Sequence, residues 1–194
     1  MNKIATLAFA AVWAATTAMA GGHANWTSVD AGSSVAFGSI KNDYIGEVHT
    51  FNTVSGTVSE AGDVAITIDL TSVETNIDIR NERLIEHLFQ AGKARAVLTG
   101  AVDMDVLNAL EVGTTAVVDF DGALAFAGVE ADIETQLLVA RLGQDRVLVT
   151  TADLIMLATE DLELDAGVDI LMDLAGLSGI TRVAPVSVRM VFEK

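Results

Sequence analysis

Hydrophobic and polar positions alternate with a two-residue period along much of this chain, and the places where that period changes divide it into elements. The clearest change lies between Gly62 and Gln90. Val64, Ile66, Ile68 and Leu70 alternate with Asp63, Ala65, Thr67 and Asp69, which predicts a strand with one apolar face. Beyond Asn76 the spacing lengthens. Ile77, Leu84 and Leu88 stand seven and four apart, with Arg80, Arg83, Glu86 and His87 between them, as a short amphipathic helix requires. A strand therefore leads through a Thr/Ser/Asn loop into a helix.

The same reading extends along the chain. Asn25 to Ile40 predicts an opening strand, a Gly-Ser turn at Gly32-Ser33, and a second strand with Val35 and Phe37 on one face. Lys41 to Phe51 predicts a loop and the start of a third strand, continued by Asn52 to Ser59, with Gly56 marking a bulge or bend. Ala94 to Asp105 and Thr114 to Ala127 follow as strands around a turn at Leu110–Gly113, with Val118, Phe120, Leu124 and Phe126 sharing a face. Val129 to Leu142 and Arg146 to Leu157 form the next pair about Gly143-Gln-Asp145. There Ile133, Leu137 and Val139 alternate with Asp132, Glu134 and Gln136. Thr159 to Asp165 has the composition of a helix start, and Val168, Leu171 and Leu174 continue at helical spacing until Gly176. In the last strand, Val183 to Phe192, the residues Val186, Val188, Met190 and Phe192 share one side. Roughly eight strands with only two short helices predict an all-β fold, and an antiparallel eight-stranded barrel in preference to a sandwich, because closure removes the strand edges.

The order hydrophobic-x-Ile68-Asp69-Leu70-x-Ser72-Val73-x-Thr75, followed by Arg80, Asn81 and Leu84, resembles the central motif of the YceI-like family of bacterial lipid-binding proteins. Ala166-Gly-Val and Ala175 to Phe192 look like the closing helix and last strand of one subgroup. The resemblance implies a lipocalin-like barrel and a polyisoprenoid or isoprenoid-quinone ligand. The family commonly carries His-Ser after its opening tryptophan stretch. Ser33-Ser34 stands in that place here, so no role of that histidine passes to this chain.

Periodicity alone implies a dry interior, whether hollow or filled by its own side chains. Combined with the resemblance, position picks out Phe37, Phe51, Ile66, Ile68, Leu84, Leu88, Phe120, Phe126, Leu137 and Met190 as the lining of a ligand cavity. Ordinary core packing is the competing account of each. Arg80 is expected to pair with Asp69 or Glu82, or to guide the polar end of a ligand.

Composition adds location and excludes several chemistries. Lys3, the apolar run Ile4 to Ala15 and Ala18-Met19-Ala20 read as a cleavable secretory leader over residues 1–20, leaving one domain over 21–194 and a periplasmic destination. The apolar run is too short for a membrane-spanning helix. Without a cysteine, the chain can form no disulfide and carry no thiol-linked lipid. Removing the leader takes away Lys3 and leaves 10 basic against 27 acidic residues, a formal charge of −17. Such a surface repels phosphate backbones and anionic headgroups, so neither nucleic acid nor electrostatic docking on a membrane is expected.

His23, His49 and His87 show no shared metal spacing. Asp103-Met-Asp105 and Asp119-Phe-Asp-Gly122 lack the other positions of a calcium loop. No nucleophile motif or phosphate loop is present, so neither an enzyme nor a cofactor is expected. Glu160, Asp161, Glu163, Asp165 and Asp169 read as a solvated helix start, with a docking face for a basic partner as the alternative. The leading expectation is a carrier of one long apolar isoprenoid. A ligand-free, stress-related or protein-interaction module of the cell envelope is the alternative, and the oligomeric state is open, a homodimer included. An outer-membrane barrel is disfavoured by the 5% aromatic content and the charged outward positions.

Overall fold

The computed structural model describes residues 24–89 and 95–194. The expected leader, His23, Gln90 and Ala94 lie outside the described residues. The chain forms strands β1 (Ala24–Lys41), β2 (Ile45–Phe51), β3 (Val54–Ser59), β4 (Asp63–Asp69), β5 (Val73–Glu74), β6 (Arg95–Ala101), β7 (Thr115–Phe126), β8 (Val129–Gly143), β9 (Arg146–Thr151), β10 (Ile155–Ala158) and β11 (Val183–Glu193). Helices α1 (Asp78–Arg83), α2 (Met104–Ala109) and α3 (Asp165–Ala175) complete it, with a π-helical turn at Leu84–Leu88 running on from α1.

Strands β1, β3, β4, β6, β7, β8, β9 and β11 pair in that order, and β11 returns to β1. The circuit is an antiparallel barrel of eight strands, as the alternation predicts. Inward positions are dry throughout: Val64, Ile66 and Ile68 on β4, Val118, Phe120, Leu124 and Phe126 on β7, Ile133 and Val139 on β8, Met190 and Phe192 on β11. The short strands β2 and β10 extend the wall at one end only, where β2 pairs with the second half of β1 and β10 with the first half of β11.

Several boundaries differ from expectation. Residues 24–41 form one strand rather than two around a turn. Gly32, at φ +96°, sits in a register shift between Val29 and Ser34. The Ser33 hydroxyl spans this shift, donating to the Val29 carbonyl at 2.6 Å and accepting from the Val191 amide at 3.0 Å. A side chain thus replaces the ladder bonds that a bulge forfeits. The chain between Lys41 and Ser59 makes two strands, and Gly56 lies within the regular β3–β4 ladder. Its missing Cβ leaves space that Ile66, Met190 and Phe192 fill from the interior.

The strand expected to run to Asp105 ends at Ala101, because Asp103 caps α2 by accepting from the Asp105 amide. That is why three helices form instead of two. The stretch from Arg146 to Leu157 is likewise broken into β9 and β10. Thr159 does not cap a helix. Its hydroxyl bonds to the Asp165 carboxylate and to the Arg182 carbonyl, and α3 begins only at Asp165. Gly176, left-handed at φ +62°, ends α3 as its position predicts. Among the described residues no helix is long and apolar enough to cross a membrane.

Candidate functional site

The family-like motif folds into a hydrogen-bonded hub at one end of the barrel. Asp69 accepts from the amide and hydroxyl of Thr71 and so turns the chain out of β4. Ser72 donates to the Asp69 carbonyl and accepts from the Thr53 amide. Thr75 offers both its amide and its hydroxyl to the Asn81 side-chain oxygen, at 2.9 and 2.6 Å. Asn81 in turn donates to Glu74. Asn76 takes a positive φ of 60° between them, a backbone that asparagine tolerates better than most residues. These bonds fix the start of α1 and therefore the direction in which Arg80 points.

Arg80 pairs with neither expected partner. Its guanidinium reaches Glu47 of β2 at 2.7 Å and the Thr75 carbonyl at 2.7 Å, while Asp69 is occupied by Thr71 and Glu82 is exposed. The other Glu47 oxygen accepts from Lys41 Nζ at 2.9 Å. The hydrogen bond from Arg80 holds the Glu47 carboxyl below the usual carboxylate range. Two residues further along β2, His49 is buried, 4% exposed, with its ring 5.1 Å from that of Phe37 and its Nε2 3.1 Å from Ser39 Oγ. Burial, and then the nearby Arg80, push its imidazole down from the usual value. Two buried nitrogens here have no hydrogen-bond partner among the described residues: His49 Nδ1 and Arg80 Nε.

Three cavities run from this hub through the barrel. The first, about 340 Å³, is walled by Arg80, Leu84 and Leu88 together with Lys41, Glu47, His49 and apolar residues of α3. The second, about 150 Å³, has Phe37, Phe51, Ile68, Leu88 and Phe126 in its wall. The third, about 80 Å³, has Ile66, Phe120, Leu137 and Met190, with Met104 and Leu107 from α2 closing the far end. The first and second share Phe37, Leu88, Thr159 and Ala184. Leu98, Ile133, Ile155 and Val188 stand between the second and third. The three are therefore stacked along one path, and each of the ten residues expected at a lining lies on it. Phe37, Phe51, Phe89 and Phe126 form a run of ring contacts beside the path, with centroids 5.2, 5.5 and 5.9 Å apart.

The path is chemically graded. Among the described residues no carboxylate lies in the walls of the two deeper cavities, where Arg141 is the one charged side chain, whereas the first brings three cations and one carboxylate around its apolar surface. Ser39 and His49 have the separation of a nucleophile and its base, but His49 Nδ1 lacks the third group that would orient the ring. Among the described residues, no group of three or more His, Asp or Glu side chains is placed to hold a metal. Sequence reasoning missed His49, Lys41 and Glu47. Position 49 falls in the alternating pattern of β2, and only the inward direction of Phe51 two residues later hints at where it points.

A closed antiparallel barrel of eight strands with a dry interior and one polar end belongs to the class that can enclose a single small ligand. The YceI-like domain matches residues 26–180, and the chain belongs to the YceI-like family. A polyisoprenoid-binding domain from Saccharophagus degradans, implicated in plant cell wall breakdown, shares 35% identity at a TM-score of 0.85, covering 88% of this chain and 98% of that one. Burkholderia cenocepacia BcnA has the same fold at 15% identity and a TM-score of 0.65, over 84% of this chain and 98% of its own. The Campylobacter jejuni YCEI protein follows at 15% identity and 0.53, over 75% and 84%. No curated protein matches the chain.

Proposed function

We propose that this protein is a periplasmic carrier that holds one long isoprenoid lipid, a polyisoprenoid or an isoprenoid quinone, with its tail in the two deeper cavities and its head beside Arg80. The observation that carries this reading is the stack of three cavities, mostly apolar along its length and with its charged side chains concentrated in the first. Ligand sites are commonly apolar with a few convergent polar groups, and the first cavity gathers Lys41, Glu47, His49, Arg80 and Arg83 in its wall. Each Å² of apolar tail removed from water contributes roughly 25 cal/mol, so a long chain binds tightly with few hydrogen bonds. The polyisoprenoid-binding description of the Saccharophagus degradans domain supports the same ligand class at 35% identity. The leader-like residues 1–20 support export. The carrier works by binding and release, with no bond made or broken.

Native mass spectrometry of protein purified without detergent tests this reading. A copurified or added prenyl lipid is expected to appear as a discrete mass increment. A bare polypeptide mass that takes up no added prenyl lipid would remove the proposal.

A further inference from the structure

The barrel wall has a seam between β8 and β10. Strand β8 pairs with β9 only from Leu137 onward, and β10, which continues the line of β9 along β11, pairs with β11 alone. Among the described residues no backbone hydrogen bond joins residues 129–135 to β10. The alternation of an antiparallel ladder shows which groups this leaves open. Ala127 and Gly128, at φ +52° and +96°, make a two-residue turn that closes on the pair Phe126 and Val129. Val129, Ala131, Ile133 and Thr135 therefore bond to β7, while Glu130, Asp132 and Glu134 turn their amides and carbonyls to the seam. Gln136, next in that series, fixes the direction: its carbonyl accepts from the Ala152 amide at 2.8 Å, on the side away from β7.

The same three residues carry exposed carboxylates. On β7, exposed Asp121 stands directly opposite Glu134, and Asp119 is met by the Gln136 side-chain amide instead of a cation. Among the described residues none of these five acids has a basic partner. Like charges opposed across a ladder are destabilising, and an unpaired strand edge is a template for another strand. Together they select the occupant. A second copy offering its own β8 edge would set carboxylate against carboxylate, and an uncharged strand would leave them unanswered. On the inner side, Ile133 and Ile155 flank the seam from β8 and β10, both in the walls of the deeper cavities, so the inward face of an added strand meets apolar surface. From this we propose that the β8 edge takes up an extended cationic segment of a partner protein by strand addition, antiparallel like its other neighbours. Lysine or arginine at every second position lies over Glu130, Asp132 and Glu134, and the residues between are apolar. This docking site does not depend on the lipid carried inside.

The test titrates the purified protein with a short synthetic peptide that alternates lysine and valine, followed by NMR. Binding is expected to slow amide exchange at Glu130, Asp132 and Glu134, and to weaken as salt is raised. Two N-methylated peptides keep every charge and separate strand addition from electrostatic attraction. Methylation of the lysine amides, which face β8 in the proposed register, is expected to weaken binding about tenfold or more. Methylation of the valine amides, which face away, is expected to leave it nearly unchanged. In the protein, Asp132→Pro removes one seam donor and spares the ladder to β7, so it is expected to lose more affinity than Asp132→Asn, which removes the charge alone. Should the proline variant fail to fold, the two methylated peptides decide the matter on the native chain. Equal affinity for all three peptides, no binding at all, or protection confined to other parts of the chain would overturn the proposal, whether or not the protein carries a prenyl lipid.

Discussion

His49 shows how much a single buried ring can tie stability to pH. Burial first, and then Arg80, push its imidazole below the ordinary 6.5. In the unfolded chain the ring therefore takes up a proton at higher pH than in the folded one. The stability that neutral His49 contributes is complete above about pH 6.5 and declines as pH falls through that value toward the folded one. Glu47 acts lower on the scale. Its carboxyl is held below the ordinary 4.5, chiefly by the Arg80 hydrogen bond, so its contribution is lost only as pH falls below about 4.5. Urea unfolding midpoints measured near pH 7.5 and near pH 5.5 are expected to fall for the native sequence and to fall less for His49→Gln, which keeps a polar partner for Ser39. Identical drops in the two proteins would contradict this role of His49. The same residue marks the limit of a sequence reading. The motif residues Asp69, Ser72, Thr75, Arg80 and Asn81 are legible because their types and order are distinctive. Lys41 ends β1, and Glu47 and His49 lie on β2; the facing of these strands is decided by the bulge at Gly32 and the break at Asn52, and neither is visible in a two-residue period.

Elements that bury one face against the barrel interior were legible for the reason that binary patterning works: β4 and β7 place wet and dry residues alternately, and the closed sheet keeps them so. Elements made by local hydrogen bonds were not. Helix α2 depends on the Asp103 cap, and the continuity of β1 depends on the Ser33 hydroxyl. The π-helical turn at Leu84–Leu88 arises where α1 meets α3, and its packing rests on Gly167. A Cβ there would lie 2.7 Å from the His87 carbonyl and 3.0 Å from the Leu88 side chain. Gly167→Ala is therefore expected to destabilise the protein by about 1–3 kcal/mol, in the range of overpacked sites. Because the clash is with backbone, it should also lift α3 from the turn and speed amide exchange in residues 84–89. Unchanged exchange in that segment would show that α3 does not hold the turn.

At the scale of the whole molecule, two opposite surfaces are built from one set of strands. The outward positions make the chain strongly anionic, and the inward ones enclose the stacked cavities. A long ligand would have to pass the girdle shared by the second and third cavities, which Leu98, Ile133, Ile155 and Val188 line from both sides. Leu98→Trp fills that girdle. Its expected effect is a loss of about tenfold or more in affinity for long prenyl lipids, with a two-isoprene analogue bound as before and the fold retained. Equal losses for short and long chains would mean that the tail does not thread the girdle. Closure of the barrel was legible from strand number and turn spacing. The hollowness of its interior was not, because an inward Phe, Ile or Met reads the same whether it fills the centre or lines a space within it.

The central claim is that a long apolar molecule lies inside the barrel along the path from Arg80 to Met190, and a crystal structure of the protein grown with a prenyl lipid tests it most directly. The account predicts continuous extra density through all three cavities, with the head beside Lys41 and Arg80 and the tail passing between Leu98 and Val188. An interior left empty, or a lipid bound only on the outer wall, would contradict it.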